Sequence, residues 1–260
     1  MGNSRILRND VVQSVDRAVS ILQVLARRGP TGVSTLAAEL SVHKSTVFRL
    51  LATLESRGLV EQSTARGGYQ LGYGVVQLAA GTIRNHELVL VSRPVCQDLA
   101  ETAGETVNVV VNDGHAVVSI DQVIGSSTVT TFNWVGRRGP MHVTSAGKVF
   151  LAHLSDQELT RALSVPLPRY TEQTVVDPQL LRQQLADVRY RGFACTSDEQ
   201  ESGLAAVAAP VKSLDGTVVA AIAVSGPTYR INARTIPYVA EHVVSAAAEI
   251  SERNGYPKQG

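Results

Sequence analysis

The sequence predicts an α+β protein with two parts: a small, mainly helical unit at the front and a larger antiparallel sheet flanked by helices behind it. Apolar residues follow helical spacing through the first quarter of the chain, whereas β-branched runs separated by turn residues dominate from Glu105 onward. A length of 260 residues and an apolar share of 44% suit two domains, each with a core of its own.

The first two predicted helices are short and amphipathic. The first runs from Val12 to Arg28, where apolar residues recur every three or four positions, and Gly29-Pro30 ends it. Ser34 is the expected N-cap of the second helix, because its hydroxyl can accept a hydrogen bond from a free backbone N–H.

The third predicted helix, KSTVFRLLATLES, has two chemically different sides. Its apolar residues recur at i, i+3, i+4 and i+7; they are Val47, Leu50, Leu51 and Leu54. The other side offers hydroxyl groups and one guanidinium, with Lys44 at the start of the helix. Such short hydrogen-bonding groups suit the reading of base edges better than the Glu–Lys pairs of an ordinary exposed helix.

Two short strands, 59–62 and 69–71, complete a winged helix-turn-helix domain over residues 12–72. In such a domain the polar side of the third helix enters a major groove of double-stranded DNA. The predicted DNA contacts are Lys44, Ser45, Thr46 and Arg49 on the helix, Arg66 at the tip of the turn, and Arg5 and Arg8 in a flexible N-terminal tail over residues 1–11. Arg49 could bind guanine or phosphate, and the sequence leaves both roles open.

Charge is distributed unevenly along the chain. Residues 1–80 carry nine Lys and Arg against five Asp and Glu, whereas residues 81–260 carry 15 against 18. We therefore expect only the front domain to meet a polyanion.

A linker helix is predicted over residues 73–88, followed by a helix in which Pro94 occupies the first turn, because proline fits a helix start better than a helix interior. The linker helix carries more apolar residues than packing along one of its sides would bury. They could pack on a neighbouring subunit or on their own domain, and both remain open.

The rear domain, residues 89–255, is predicted to hold an antiparallel sheet. Strands at 106–111 and 115–120 form a hairpin around Asn112-Asp113-Gly114, and a third strand follows at 129–134. The later elements are helices at 146–153, 156–163 and 178–190, strands at 193–197, 204–211 and 217–225, and a helix at 235–253. Such an arrangement often encloses a small molecule.

Several classes of protein are disfavoured. The polar N-terminus has no secretory leader and no apolar run approaches the ~20 residues that span a bilayer, so we expect a soluble cytoplasmic protein without membrane contact. Cys96 and Cys195 are too far apart for a metal knuckle and are interpreted as reduced, buried thiols. No cofactor and no metal site are predicted.

Catalysis is also disfavoured. His142, Ser145 and Lys148 lie close in sequence, yet no GxSxG elbow surrounds the serine and the pattern of a phosphate-binding loop is broken. His142 is interpreted as a structural hydrogen-bonding group at a turn, and Lys148 as solvated or capping a carbonyl. The acidic run at 198–201 is interpreted as solvated or helix-capping. We therefore predict no catalytic residues.

Eight segments have a joint order and spacing that is highly specific. They are SVDRA at 14–18, the third helix with its flank at 44–60, YQLG at 69–72, GRRGPMH at 136–142, SAGK at 145–148, DEQESGL at 198–204, AAPV at 208–211 and AVSGP at 223–227. Together they resemble the IclR family of bacterial transcription regulators. The resemblance implies a GAF-like effector-binding rear domain, and homodimers or dimers of dimers on a palindromic operator.

The resemblance also implies an effector site, in which the backbone N–H groups of Ser145 and Ala146 hold a carboxylate. The positions carried over are Thr128, Thr131, Ser145, Ala146, Thr196, Leu204, Ala206, Ala223 and Ser225. The chain departs from the family pattern, because an acidic position is Thr196 and two polar positions are Ala206 and Ala223. We therefore hypothesise a roomier pocket for a larger organic effector, such as an aromatic or hydroxylated acid. A pocket filled by its own side chains is the alternative.

The resulting prediction is a ligand-responsive, sequence-specific DNA-binding transcription regulator, with repression favoured over activation. Two other classes remain open. One is an enzyme built on the rear domain, and the other is a sensor whose winged helix binds protein instead of DNA.

Overall fold

The computed structural model describes residues 12–63, 68–80, 83–127 and 133–257, and the chain divides into two compact units, Met1–Ile83 and Arg84–Gly260. The first unit has the predicted order of three helices, two strands and a further helix. Its elements are α1 (Gln13–Arg28), α2 (Val33–Glu39), α3 (Lys44–Ser56), β1 (Val60–Gln62), β2 (Tyr69–Leu71) and α4 (Gly74–Ala80).

The core of the first unit forms where α1, α2 and α3 meet the ribbon. Its fully buried residues are Ile21, Leu36, Val47 and Leu51, each 0% exposed. β1 and β2 pair antiparallel, with Val60 opposite Leu71, as predicted for the wing. Gly29 ends α1 with φ at 70°, a conformation that glycine adopts without steric cost.

The start of α2 was predicted wrongly. Gly32, not Ser34, is the N-cap, and its carbonyl accepts the first hydrogen bonds of the helix, from Thr35 and Leu36. The helix begins early because half-buried Val33 packs against the core, whereas Ser34 is exposed and its side chain caps no N–H group.

The second unit is built on a six-stranded sheet with helices on both sides. Its elements are α5 (Ile83–Ala103), β3 (Thr106–Asn112), β4 (Val117–Val123), β5 (Arg138–Gly139), α6 (Ser145–Ala152), α7 (Asp156–Ala162), α8 (Pro178–Arg191), β6 (Ala194–Ser197), β7 (Leu204–Lys212), β8 (Val218–Pro227) and α9 (Ile236–Arg253). The strand order is β5-β4-β3-β8-β7-β6, and every neighbouring pair is antiparallel. The predicted antiparallel α+β domain is therefore confirmed.

Alternation along the strands produces two cores. On β3, Val107 and Val109 belong to the core formed with α5 and α9, whereas Val110 belongs to the core formed with α6 and α8. Asn108 faces the same side as Val110. This second side of the sheet is where a cavity opens.

Three elements differ from the prediction. The linker helix predicted over residues 73–88 is divided between α4, which ends at Ala80, and α5, which begins at Ile83. Pro94 lies inside α5 rather than at a helix start. The carbonyl four residues earlier, on Leu90, loses its helical donor, but Leu90 is 63% exposed and Pro94 is also exposed, so water can hydrate that carbonyl. The strand predicted at 129–134 falls mainly outside the described residues, and its described end, Asn133–Trp134, is not a strand.

Candidate DNA-binding helix and effector cavity

The two sides of α3 are separated as the sequence predicts. Val47 and Leu51 are 0% exposed, and Leu54 is buried with them. Lys44, Ser45 and Arg49 are exposed, whereas Thr46 is half-buried. Because the apolar side is used by the core of its own unit, the polar side is left for a partner.

A groove lies between α1, α3 and α4, and part of the polar side of α3 faces it. Thr46, Arg49, Leu50 and Thr53 border this groove. The outermost part of the helix therefore carries Lys44, Ser45 and two residues that sequence reasoning missed, Phe48 and Ala52. Phe48 is 53% exposed, and Ala52 lies one helical turn beyond it and is exposed too.

Electrostatics favour an anionic partner for α3. The helix begins with Lys44 and has no acidic residue in its first turn, and the N-terminal end of a helix carries partial positive charge. Ser45, Thr46 and Arg49, in the first two turns of the helix, add hydroxyl groups and a guanidinium near this positive end. Three further predicted DNA contacts, Arg5, Arg8 and Arg66, lie outside the described residues.

A cavity with an accessible volume of about 90 Å³ opens between the sheet and the start of α6. Its lining residues are Asn108, Val110, Val117, Ser119, Trp134, Arg137, Arg138, Gly139, Thr144, Ser145, Ala146, Thr196, Gln200, Leu204, Ala206, Ala223 and Ser225. Seven of the nine positions expected from the resemblance lie in this wall. The other two, Thr128 and Thr131, lie outside the described residues.

The first turn of α6 supplies backbone donors to the cavity wall. The side chain of Thr144 caps the helix by accepting the N–H of Gly147 at 3.1 Å. The N–H groups of Ser145 and Ala146 have no acceptor within a helix that starts there. Gly147 is required at its position, because a Cβ atom would lie 2.2 Å from the carbonyl oxygen of Met141.

The sheet supplies a polar group that the sequence did not single out. Asn108 is 6% exposed, and its Nδ2 donates to Ser225 Oγ at 3.2 Å while its Oδ1 accepts from Ser119 Oγ at 3.3 Å. An asparagine among the valines of β3 was the available signal. It places hydrogen-bonding groups on one wall of a cavity whose neighbouring walls carry Val110 and Leu204.

Lys148 was predicted wrongly as solvated or carbonyl-capping. It is 2% exposed, and its Nζ donates to Glu199 Oε1 at 2.6 Å and to Gln184 Oε1 at 2.9 Å. Glu199, 7% exposed, is likewise not part of a solvated run. These contacts connect α6 to α8 and to the turn that precedes β7. Gln200, which follows Glu199 in that turn, lines the cavity.

Burial dominates the titration of Glu199. Desolvation raises the pKa of its carboxyl above the usual value, although the neighbouring Lys148 acts in the opposite direction. Within the described part of the chain, Glu199 Oε2 has no hydrogen-bond partner. The charge of Lys148 is therefore what makes an ionised carboxylate tolerable at this depth.

His142 is a structural hydrogen-bonding group at a turn, as predicted. Its Nε2 lies 2.9 Å from the carbonyl oxygen of Pro168, and the residue is 5% exposed. Burial lowers the pKa of the imidazole below its usual value, and the positive charge of Lys148 lowers it further. The neutral ring is thus the form that the folded protein favours.

The mouth of the cavity carries positive charge. Arg137 and Arg138 line it together with Trp134. Arg138 also pairs with Asp113 of the β3–β4 turn at 2.7 Å, and its side chain is 74% exposed. A carboxylate approaching the start of α6 would therefore pass an electropositive rim.

Three other expectations concern metals, thiols and membranes. Among residues 12–63, 68–80, 83–127 and 133–257, no group of three His, Cys, Asp or Glu side chains could hold a metal ion. Both cysteines are free, but Cys195 is half-buried rather than buried. None of the described helices combines the length and the apolar character needed to cross a membrane.

A helix-turn-helix unit with an exposed basic helix, followed by a sheet domain that encloses a cavity, is an arrangement typical of DNA-binding regulators. Comparison with known proteins gives the family. Residues 14–64 match the IclR helix-turn-helix domain, and residues 80–252 match the bacterial transcriptional regulator IclR C-terminal domain. The chain belongs to the IclR family of transcriptional regulators.

Relatives agree over nearly the whole chain. The transcriptional regulator BhcR of Paracoccus denitrificans is 33% identical over 92% of this chain and 86% of its own length. The transcriptional repressor IclR of Escherichia coli is 32% identical over 92% and 89%. The crystal structure of an IclR homolog complexed with 4-hydroxybenzoate, from Microbacterium hydrocarbonoxydans, has a TM-score of 0.79 and 25% identity over 93% of this chain and 98% of that one.

Proposed function

We propose that the protein is an effector-responsive repressor that binds a palindromic operator through α3 and releases it, or binds it more tightly, when a small organic acid occupies the cavity. The observation that carries this proposal is the exposed cationic and hydroxyl side of α3, whose opposite side is consumed by its own core. Action on the chromosome would locate the protein in the cytoplasm.

The chemistry of the cavity supports a particular class of effector. Backbone N–H groups of Ser145 and Ala146 suit a carboxylate, and Asn108 with Ser225 suits a hydroxyl or carbonyl group elsewhere on the ligand. Apolar walls between these groups suit a carbon body of aromatic size. We therefore propose a hydroxylated or aromatic carboxylic acid, and the 4-hydroxybenzoate held by a relative supports this class.

Calorimetric titration of the purified chain tests the effector class. We expect 4-hydroxybenzoate or a similar aromatic acid to bind, and Ser225→Ala to weaken binding while the fold is kept. Tight binding of glyoxylate together with no affinity for larger acids would contradict the proposed class, though not DNA binding.

Dimer formation is supported by apolar surface on the first unit. Three exposed valines lie at the start of α1: the N-cap Val12 (63% exposed), Val15 (59%) and Val19 (46%). On α4, the exposed apolar residues include Val76 (61%) and Leu78 (65%). A single copy leaves this surface in water, and a second copy would cover it. Light scattering on the wild type and on Val15→Asp tests this, with a monomeric wild type contradicting it.

The absence of catalysis is likewise a proposal. His142 is occupied by the carbonyl of Pro168, and Lys148 by Glu199 and Gln184, so neither is poised to activate Ser145. Turnover of a bound acid under saturating conditions, detected by mass spectrometry, would contradict it.

A further inference from the structure

One of the exposed apolar side chains of the first unit, Phe48, lies on α3 itself. It is 53% exposed in the middle of α3, whereas the apolar residues beside it in sequence and one turn on, Val47 and Leu51, are completely buried. Phe48 therefore lies outside the core of the first unit, and about half of its surface is available to a partner.

Helical geometry places Phe48 among the residues most exposed to a partner of α3. Lys44 lies one turn before it and Ala52 one turn after it, and all three are exposed. Arg49 and Thr53 lie to one side, where they border the groove with α1 and α4. An aromatic ring thus stands on the outer surface of the helix, next to a cation that suits phosphate.

We propose that Phe48 reads thymine, by apolar contact of its ring with the 5-methyl group in the major groove of the operator. Thymine is the only standard base that presents a methyl group there, and phenylalanine and alanine side chains are suitable partners for it. Ala52 extends the apolar surface by one turn. Phe48 is then a specificity-determining residue, whereas Lys44 contributes mainly affinity.

This inference rests on the proposed DNA binding and adds to it a defined base preference. Each half-site should contain a thymine whose methyl group contributes to affinity. The hydrogen-bonding edge of that base is not what Phe48 senses, because a phenyl ring has no conventional donor or acceptor.

The test is a comparison of thymine with deoxyuridine, which lacks only the methyl group. Duplexes bound by the full chain are first selected from a random pool, and each thymine of the enriched site is then replaced by deoxyuridine. We expect one position per half-site at which wild type loses about three- to five-fold in affinity, as burial of a single methyl group would give. Phe48→Ala should bind thymine and deoxyuridine equally well at that position, because the methyl group of alanine does not extend as far from α3 as the phenyl ring does. Phe48→Leu should keep part of the preference.

Thr53→Ala is the matched control, since Thr53 lies on the same helix but towards the groove. It should keep the wild-type ratio between thymine and deoxyuridine. Circular dichroism of each variant checks that α3 still folds, which the exposure of Phe48 leads us to expect.

The possible failures are distinguishable. An enriched site at which Phe48→Ala shows the same deoxyuridine losses as wild type would overturn the role of Phe48 and leave DNA binding intact. A change of oligomeric state in Phe48→Ala with unaltered deoxyuridine losses would assign the ring to a protein interface and overturn the inference too. A pool with no enriched site would overturn both the inference and DNA binding.

Discussion

The outer side of α3 and the interior around α6 use polar residues in opposite ways. On α3, Lys44 and Ser45 are exposed and belong to no described ion pair or side-chain hydrogen bond. Around α6, Lys148 and Asn108 are buried and are bonded to other side chains. The polar groups on α3 are available to hydrogen-bond with a partner. Those around α6 are bonded within the protein and fix the shape of the cavity.

The interior arrangement should show the largest effect on folding. Lys148→Met leaves the carboxylate of Glu199 buried without its cation, and breaking a buried pair in this way costs about 3–5 kcal/mol. Urea unfolding of the full chain measures the loss. Arg253→Met, which breaks the exposed pair with Glu249, is the control and should change the free energy of unfolding by about 0–1 kcal/mol.

A second replacement sharpens that result. Lys148→Met combined with Glu199→Gln removes both charges and should recover much of the lost stability. A double variant as unstable as Lys148→Met alone would mean that packing, and not the ion pair, holds α6 in place.

Filling the cavity should separate effector binding from folding. Leu204 is half-buried and lines the cavity, so Leu204→Trp should lower effector affinity by at least about ten-fold, or about 1.4 kcal/mol, by occupying the space of the ligand. Calorimetry measures it. Leu214→Trp, at a position that is 71% exposed, is the matched control and should bind effector as wild type does.

The exterior arrangement should respond to salt rather than to urea. Arg49→Ala should weaken operator binding, and the two roles left open for Arg49 predict different signatures. Loss of a phosphate contact lowers the slope of log affinity against log salt by about one, whereas loss of a guanine contact costs about 1–3 kcal/mol at one base position and relaxes its specificity. Arg161→Ala, an exposed cation of the second unit, should leave both quantities unchanged.

The smallest predicted effect is a pH dependence of stability. Because burial lowers the pKa of His142 below 6.5 in the folded state, the unfolded chain takes up a proton first as pH falls. The contribution of neutral His142 to the free energy of unfolding is complete above pH 6.5, and it is lost as pH falls through the lowered pKa of the folded state. Urea midpoints at pH 7.5 and 5.5 should therefore differ less in His142→Gln than in wild type, with exposed His115→Gln as the control.

Sequence periodicity was sufficient for the fold and for the orientation of α3, because a helix with one apolar side has one stable way to pack. Periodicity could not predict contacts between residues that are far apart in the sequence. Lys148 and Glu199 are 51 positions apart, and nothing local distinguishes a buried lysine from a solvated one. Pro94 was misplaced because tolerance of an interior proline depends on how exposed that part of the helix is, and Leu90 is exposed.

Phe48 illustrates a signal that was present and unused. It does not belong to the set of residues 47, 50, 51 and 54, so its exposure followed from the same spacing that predicted the helix. The resemblance located seven cavity positions, whereas Asn108 and Gln200 required the strand register and the turn before β7. An account of the site therefore needed the three-dimensional arrangement as well as the motifs.

The central claim is that the outer side of α3 binds operator DNA. The most direct measurement is the affinity for a selected operator of a variant in which Lys44, Ser45 and Arg49 are all replaced by alanine, taken by fluorescence anisotropy at fixed salt. We expect a loss of at least about 100-fold, with effector binding to the cavity unchanged. An operator affinity equal to that of wild type would contradict the claim.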